Sequence, residues 1–329
     1  MAVTGDCVVG VRWLEPPLSQ PKEPCVHPVI LEIPFIGLPL HTYGFMIVTG
    51  FILGMLVCTR QGRRHGGYHE EVMDFGFWAL IGGMIGARVV FIMVNAREYF
   101  IEKPFVEVPQ LGIKIPAVLA IWQGGLVFYG AALGGFIAFV IYAKKRNLPM
   151  LKMADMLIPA LPLAHAFGRM GCVAAGCCWG DAFYHMHEGK VVADIPLAMR
   201  FPEGSLAYGS LLRTENPEVV GYMKEVGHTL PLFPSQIMEA FGVLAIFFFL
   251  NWVLSRKWFH GQVLLTYAIV YPILRSTLEF FRGDAGRGYV IDGVLSTSQF
   301  ISILVASASL ITLFVLRKKQ KAAADQMVA

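Results

Sequence analysis

Seven apolar runs punctuate the chain, at about 41–59, 73–95, 117–142, 154–175, 236–254, 261–281 and 297–316. Each approaches the roughly 20 residues that a helix needs to cross about 30 Å of hydrocarbon, so the pattern predicts an all-α integral membrane protein with seven transmembrane helices. An odd number of crossings puts the two ends of the chain on opposite sides. The short polar segments at 60–72, 143–152 and 253–261 and the tail from 317 collect Arg60, Arg63, Arg64, Lys144, Lys145, Arg146, Lys152, Arg256, Lys257, Arg317, Lys318, Lys319 and Lys321. Basic loops stay in the cytoplasm, which places the C-terminus there and the N-terminus outside. The segment 181–233 is too long and too mixed for an idle connection and reads as a small extracytoplasmic head between helices four and five. The expected organisation is an extracytoplasmic segment at 1–40, helices one to four at 41–180, the head at 181–233, helices five to seven at 234–316, and a cytoplasmic basic tail at 317–329. The first 40 residues lack a basic stretch leading into an apolar core, so they do not read as a cleavable signal peptide.

Composition agrees: 56% of the residues are hydrophobic and 15% charged, and the mean hydropathy of +0.58 is too high for a soluble domain. A formal charge of +4, dispersed over loops, gives no nucleic-acid face. The partner that this composition implies is a lipid bilayer.

More informative are the charges left inside the apolar runs. Arg88, Arg169 and Arg275 all fall in the outer halves of their expected helices, with Asp74, Asp155, Glu239 and Glu279 as the intramembrane carboxylates. Asp74 and Asp155 stand near cytoplasmic helix starts, where a carboxylate complements the helix dipole, and read as caps. A charged side chain in the bilayer costs at least about 2.5–3.5 kcal/mol, so the arginines either face a polar interior or snorkel to the headgroups. In "YPILRSTLEFFRGD", Tyr271, Arg275 and Glu279 are four apart and share one helical face, which presents either a functional seam or a self-neutralising ion pair. A guanidinium grips two phosphate oxygens at once and stays protonated, so several arginines in the outer leaflet suggest an anionic phospholipid headgroup. The glycines of "IGGMIGAR" and "WQGGLVFYGAALGG" suit close helix packing. Tyr129 and Gln123 are the polar exceptions there.

With "HTYG", "GGLVFYGAALGG", "GRMGCVAAGCCWG", "PSQIMEA" and "RSTLEFFRGD" in this order over about residues 26–316, the chain resembles the prolipoprotein diacylglyceryl transferase family. The resemblance implies an enzyme of the bacterial cytoplasmic (inner) membrane, with its active site toward the outer leaflet and no cofactor or metal. It would transfer the diacylglyceryl group of phosphatidylglycerol to the lipobox cysteine thiol of a prolipoprotein signal peptide, leaving a thioether and glycerol phosphate. Arg169 and Arg275 are then the expected catalytic, phosphate-holding residues, joined by Glu279 and Tyr129. Tyr43, Tyr271, Gly168, Gly180, Arg88 and Gln123 complete the expected substrate-binding set. The chain departs from the family pattern where Tyr129 replaces a histidine, and where Cys172, Ala175 and Cys177 replace asparagines and a glutamate.

A thiol of ordinary pKa, about 8.5, needs help to ionise. That help comes from Tyr129 as a base, from His165 or His41 in place of the lost imidazole, or from the field of the arginines alone; Tyr129 otherwise orients the headgroup. The close spacing of Cys172, Cys177 and Cys178 admits a metal site, a disulfide or plain packing, and Cys7 with Cys25 is a second possible bridge. A non-catalytic phospholipid-binding relative and a membrane thiol-redox protein are the alternative functions.

Overall fold

The computed structural model describes residues 29–33, 38–97, 99–100, 105–108, 113–120, 127–187, 190–195, 197–215, 217–282, 289–291 and 295–328. Its helices are α1 (Thr42–Arg64), α2 (His69–Val94), α3 (Phe128–Lys145), α4 (Met150–Leu157), α5 (Ala160–Ala175), α6 (Leu206–Thr214), α7 (Pro217–Val226), α8 (Ser235–Arg256), α9 (Gln262–Glu279) and α10 (Thr297–Val328). Among the described residues, four antiparallel hairpins accompany them: β1 (Val29–Ile33) with β2 (Leu38–His41), β3 (Phe105–Val108) with β4 (Ile113–Pro116), β5 (Tyr184–His187) with β6 (Lys190–Ala193), and β7 (Tyr289–Ile291) with β8 (Leu295–Ser296).

Among the described residues, 5 helical stretches are long and apolar enough to cross a membrane: α1, α2, the α4–α5 stretch Met150–Ala175, α8, and α10 as far as Ala322. The other two expected crossings correspond to α3 and α9, of 18 residues each. α3 starts only at Phe128, because β4 and a 3-10 turn at Ala117–Leu119 take the beginning of that apolar run. Pro116, with its fixed φ and no N–H, suits the end of a strand better than a helix interior. α10 continues through the expected tail, whose Arg, Lys, Gln and Ala residues are strong helix formers.

The chain divides into two compact units, Met55–Leu157 and Met1–Gly54 with Ile158–Ala329. In the Met55–Leu157 unit, α2 and α3 pack through glycines. A Cβ on Gly134 would overlap the Gly82 carbonyl oxygen, and one on Gly86 the Gly130 carbonyl oxygen. Backbones this close exchange contacts that side chains would prevent. Asp74 does not act as a cap: its Oδ2 meets Arg146 Nη2 at 3.3 Å and accepts a 3.5 Å hydrogen bond from the Tyr142 hydroxyl. The first-turn carboxylates of α2 are Glu70 and Glu71.

In the other unit, α5 and α9 both pack on α8, and α10 packs on α9. Within its apolar window 39% of α8 is buried, against 6% for α10, so α8 is central and α10 peripheral. At one end, Arg317 lies over the Trp258 ring at 4.8 Å, and the Gln320 amide bonds both backbone groups of His260 at 3.0 Å. Residues 181–233 build their own core around Phe201, Ala207, Met223, Leu230 and Leu232, with Trp179 reaching in.

Gly134→Ala is expected to destabilise the protein by about 1–3 kcal/mol through overpacking, whereas Gly135→Ala, with open space around its Cβ, should be neutral or stabilising by up to about 1 kcal/mol. Thermal unfolding in detergent separates the two.

Candidate active site

Arg169 and His165 stand one turn apart on α5, on one face. Arg169 donates from Nε to His165 Nε2 at 3.1 Å and from Nη2 to Glu239 Oε1 at 3.0 Å. Because Nε2 accepts, this hydrogen bond assigns a neutral imidazole with its proton on Nδ1. Glu239 Oε1 lies 3.4 Å from the same nitrogen, so two acceptors converge on one guanidinium. The Arg169 side chain is 15% exposed and that of Glu239 5%. An isolated charge buried so deeply is strongly disfavoured; the pair is tolerated because each ion is the other's partner.

On α9, Arg275 Nη1 pairs with Glu279 Oε2 at 2.5 Å. One turn earlier, the Tyr271 ring stands edge-on to His165, centroids 5.6 Å apart, and stacks on Tyr267 at 5.5 Å. The contact of the Tyr271 ring with His165 is what links the helix of the Arg275–Glu279 pair to that of Arg169. Tyr43, in the first turn of α1 and 44% exposed, packs against Gly171, where an added Cβ would lie 3.0 Å from the Tyr43 ring. The structure therefore gathers Arg169, Arg275, Glu279, Tyr271 and Tyr43 in one unit.

The turn after α5 is built from local geometry. Gly176 takes a left-handed φ of 62°, its N–H bonds Val173 O at 3.1 Å, and Cys177 N–H bonds Cys172 O at 3.1 Å, closing the helix. The carbonyls that then point outward are met by the start of α8: Gln236 Nε2 donates to Cys177 O and Ser235 Oγ to Cys178 O, each at 2.8 Å. Glu239 follows Gln236 by one turn. Gly180 donates to Phe233 O at 3.0 Å, and an added Cβ would lie 2.7 Å from the Phe233 Cβ, so its smallness serves the close approach of backbones. Gly168 differs, since a Cβ there would only touch Ile47 at 3.5 Å.

Cys172, Cys177 and Cys178 are free thiols, which sets aside a disulfide among them in this structure; Cys7 and Cys25 lie outside the described residues. The Cys178 thiol is held below the ordinary thiol range, chiefly by hydrogen bonds from Cys172 and Cys177, with Arg169 and Arg282 adding to the effect. A cleft of about 400 Å³ opens nearby, lined by His41, Tyr43, Ala175, Pro202, Ser205 and Leu206 among others.

Arg88, expected with the phosphate-binding arginines, is 6% exposed and directs its guanidinium to backbone carbonyls: Nε to Val118 O at 3.0 Å, Nη2 to Ala117 O at 2.7 Å and to Ala120 O at 3.3 Å. It also lies over the Phe91 and Tyr99 rings. These contacts tie α2 to the turn after β4. Tyr129 is 70% exposed in the first turn of α3, and Gln123 lies outside the described residues. Glu239 is the residue to which sequence reasoning gave no role. The signal was available, because an arginine buried in an apolar run requires a counter-ion, and Glu239 is one of few carboxylates in such runs.

An integral membrane protein with ion pairs buried among apolar helices is the class that this fold and site define. The sequence profile of the prolipoprotein diacylglyceryl transferase family matches residues 28–315, and the chain belongs to that family. It is 30% identical over 276 residues to the phosphatidylglycerol–prolipoprotein diacylglyceryl transferase of Clostridium tetani, covering 84% of this chain and 92% of the relative. Over 269 residues it is 30% identical to a second such transferase, from Clostridium perfringens, covering 82% and 88%. The enzyme of that name from Pectobacterium atrosepticum is 27% identical over 303 residues, covering 91% and 96%.

Glu239→Ala leaves the Arg169 cation without its partner and is expected to destabilise the protein by about 3–5 kcal/mol, whereas Glu239→Gln keeps an acceptor oxygen and should lose less. Equal unfolding temperatures for the two variants would contradict this account of the pair.

Proposed function

We propose that the chain transfers the diacylglyceryl group of phosphatidylglycerol to the cysteine thiol of a prolipoprotein signal peptide. The observation that carries the reading is the Arg169 guanidinium, oriented by Glu239 and His165, with His165 in turn touching Tyr271 on α9, one turn before the Arg275–Glu279 pair. In the proposed step the substrate thiol gives its proton to solvent water, and its sulfur attacks the diacylglycerol carbon that bears the phosphate ester. A C–S bond forms, the C–O bond breaks, and the electron pair leaves on glycerol phosphate, whose charge goes from one to two negatives. The directed N–H donors of Arg169 and Arg275 stabilise that added charge and the thiolate that precedes it, so no dedicated base is required. His165 Nε2 is engaged by Arg169, which favours an orienting role for the imidazole over proton abstraction. Tyr43, Tyr271 and Gly168 would position the headgroup. The cleft beside Tyr43 would admit the precursor segment.

We further propose seven crossings, with α3 and α9 completing the set, and an outer-leaflet site. α8 supports this orientation: it starts at the turn that holds Cys177 and Cys178 and runs 22 residues, about 33 Å, to Arg256. The basic end, where Arg317 meets Trp258, is cytoplasmic by the charge rule, which leaves the site end outside.

The test is mass spectrometry of a lipobox peptide incubated with the protein in nanodiscs containing phosphatidylglycerol. Thioether-linked diacylglycerol is expected, with the rate falling about 100- to 1,000-fold in Arg169→Ala and in Arg275→Ala. A fully active Arg169→Ala protein would overturn the assigned role. Bound lipid without product in the wild type would replace transfer by lipid binding alone.

A further inference from the structure

The sulfurs of Cys172, Cys177 and Cys178 all lie within 4.8 Å of one another. Their convergence is built by the backbone. Cys172 closes α5 from a buried position, Gly176 reverses the chain, and Cys178 itself takes a left-handed φ of 60°. That conformation favours glycine or asparagine, so a cysteine is held there against its own preference. The Ser235 and Gln236 side chains fix the carbonyls of both following cysteines, which leaves the turn little freedom to relax. Sulfurs bound to one zinc-sized ion, each about 2.3 Å from it, would lie about 3.8 Å apart in tetrahedral geometry. Small side-chain rotations span the difference.

We propose that Cys172, Cys177 and Cys178 form a three-thiolate site for a thiophilic closed-shell metal ion, zinc(II) or copper(I). Thiolates are the ligands that select these ions. Whatever S–H protons the three sulfurs still carry leave to solvent as the three metal–sulfur bonds form, with no change in oxidation state. Copper(I) is satisfied by the three sulfurs, whereas zinc(II) keeps a fourth position for water or an incoming thiol. Three thiolates around a divalent ion carry one net negative charge. A disulfide would use only two of the sulfurs and would require an oxidant. Cys177 is half-buried and so is Cys178, so an ion can reach the cluster from outside.

The full-length protein, reduced in detergent and freed of reductant without air, tests the site independently of any transfer activity. Cobalt(II) is the probe for the zinc arm, and copper(I) held by a coloured chelator is the probe for the other. The expected result is one equivalent of cobalt with a strong sulfur-to-cobalt charge-transfer band that zinc abolishes, or one equivalent of copper(I) withdrawn from the chelator. Cys177→Ser and Cys178→Ser should each lose that signal, while Cys58→Ser, a thiol elsewhere in the chain, should keep it. Should the serine variants misfold, alkylation of the wild type decides: added zinc or copper(I) should protect all three thiols of the segment. Alkylation at the same rate with and without metal would overturn the site. A signal that survives Cys177→Ser in a folded protein would do the same, as would a mapped disulfide among these cysteines with no metal taken up.

Discussion

A cation in an apolar helix must be met by an anion on a neighbouring element, and the organisation around α8 follows from that requirement. Arg169 on α5 reaches Glu239 on α8, and His165, which accepts from Arg169, touches Tyr271 on α9. Each ion removed from water carries a penalty of several kcal/mol that its partner offsets only in good geometry. The pair therefore fixes how α5 and α8 pack at that level, where ordinary apolar side chains would tolerate sliding. The geometry of the candidate site and the packing depend on the same hydrogen bonds.

The turn at 176–180 extends this constraint away from the helices. Its carbonyls are bound by the first residues of α8, so the element that supplies Glu239 also shapes the chain that follows Arg169. Trp179, inside the same turn, is buried in the core of the 181–233 segment. Gly180 then lets the backbone run beside Phe233 and Phe281. Movement of the head would thus be felt within a few residues of the guanidinium.

The parts of the fold legible in the sequence were the local ones. Apolar runs marked the helices because burial in hydrocarbon demands length and composition, and both can be read from a linear string. The Arg275–Glu279 pair was legible for a similar reason, its partners being one turn apart. Arg169 with Glu239 was not, because the two stand 70 positions apart and spacing carries no information about which helices meet. Arg88 shows the converse: its residue type and depth matched those of Arg169, yet its guanidinium meets backbone carbonyls of the turn after β4. The late start of α3 escaped because Pro116 and a 3-10 turn interrupt a run that is apolar throughout. The three cysteines were visible as a cluster, but their convergence depends on a left-handed residue at 178 that residue type alone would argue against.

The balance of charge bears on how such a site would recognise an anion. Two guanidiniums face two carboxylates, with a neutral imidazole between them, so the assembled set carries no excess positive charge. Net attraction would therefore be a poor account of the proposed phosphate binding. Directed donors are a better one. A guanidinium has five N–H groups, and Arg169 directs one to His165 and one to Glu239, which pins the plane of the fork while the Nη1 edge makes no bond among the described residues. An oriented edge in a water-poor setting acts most strongly on charge that appears after the substrate is bound, because no solvent has to reorganise to meet it. The carboxylates thus do more than neutralise. By holding the cations in apolar surroundings and fixing their direction, they would, under the proposed transfer, suit the site to the second charge that develops on a departing phosphate rather than to the single charge already present on the lipid.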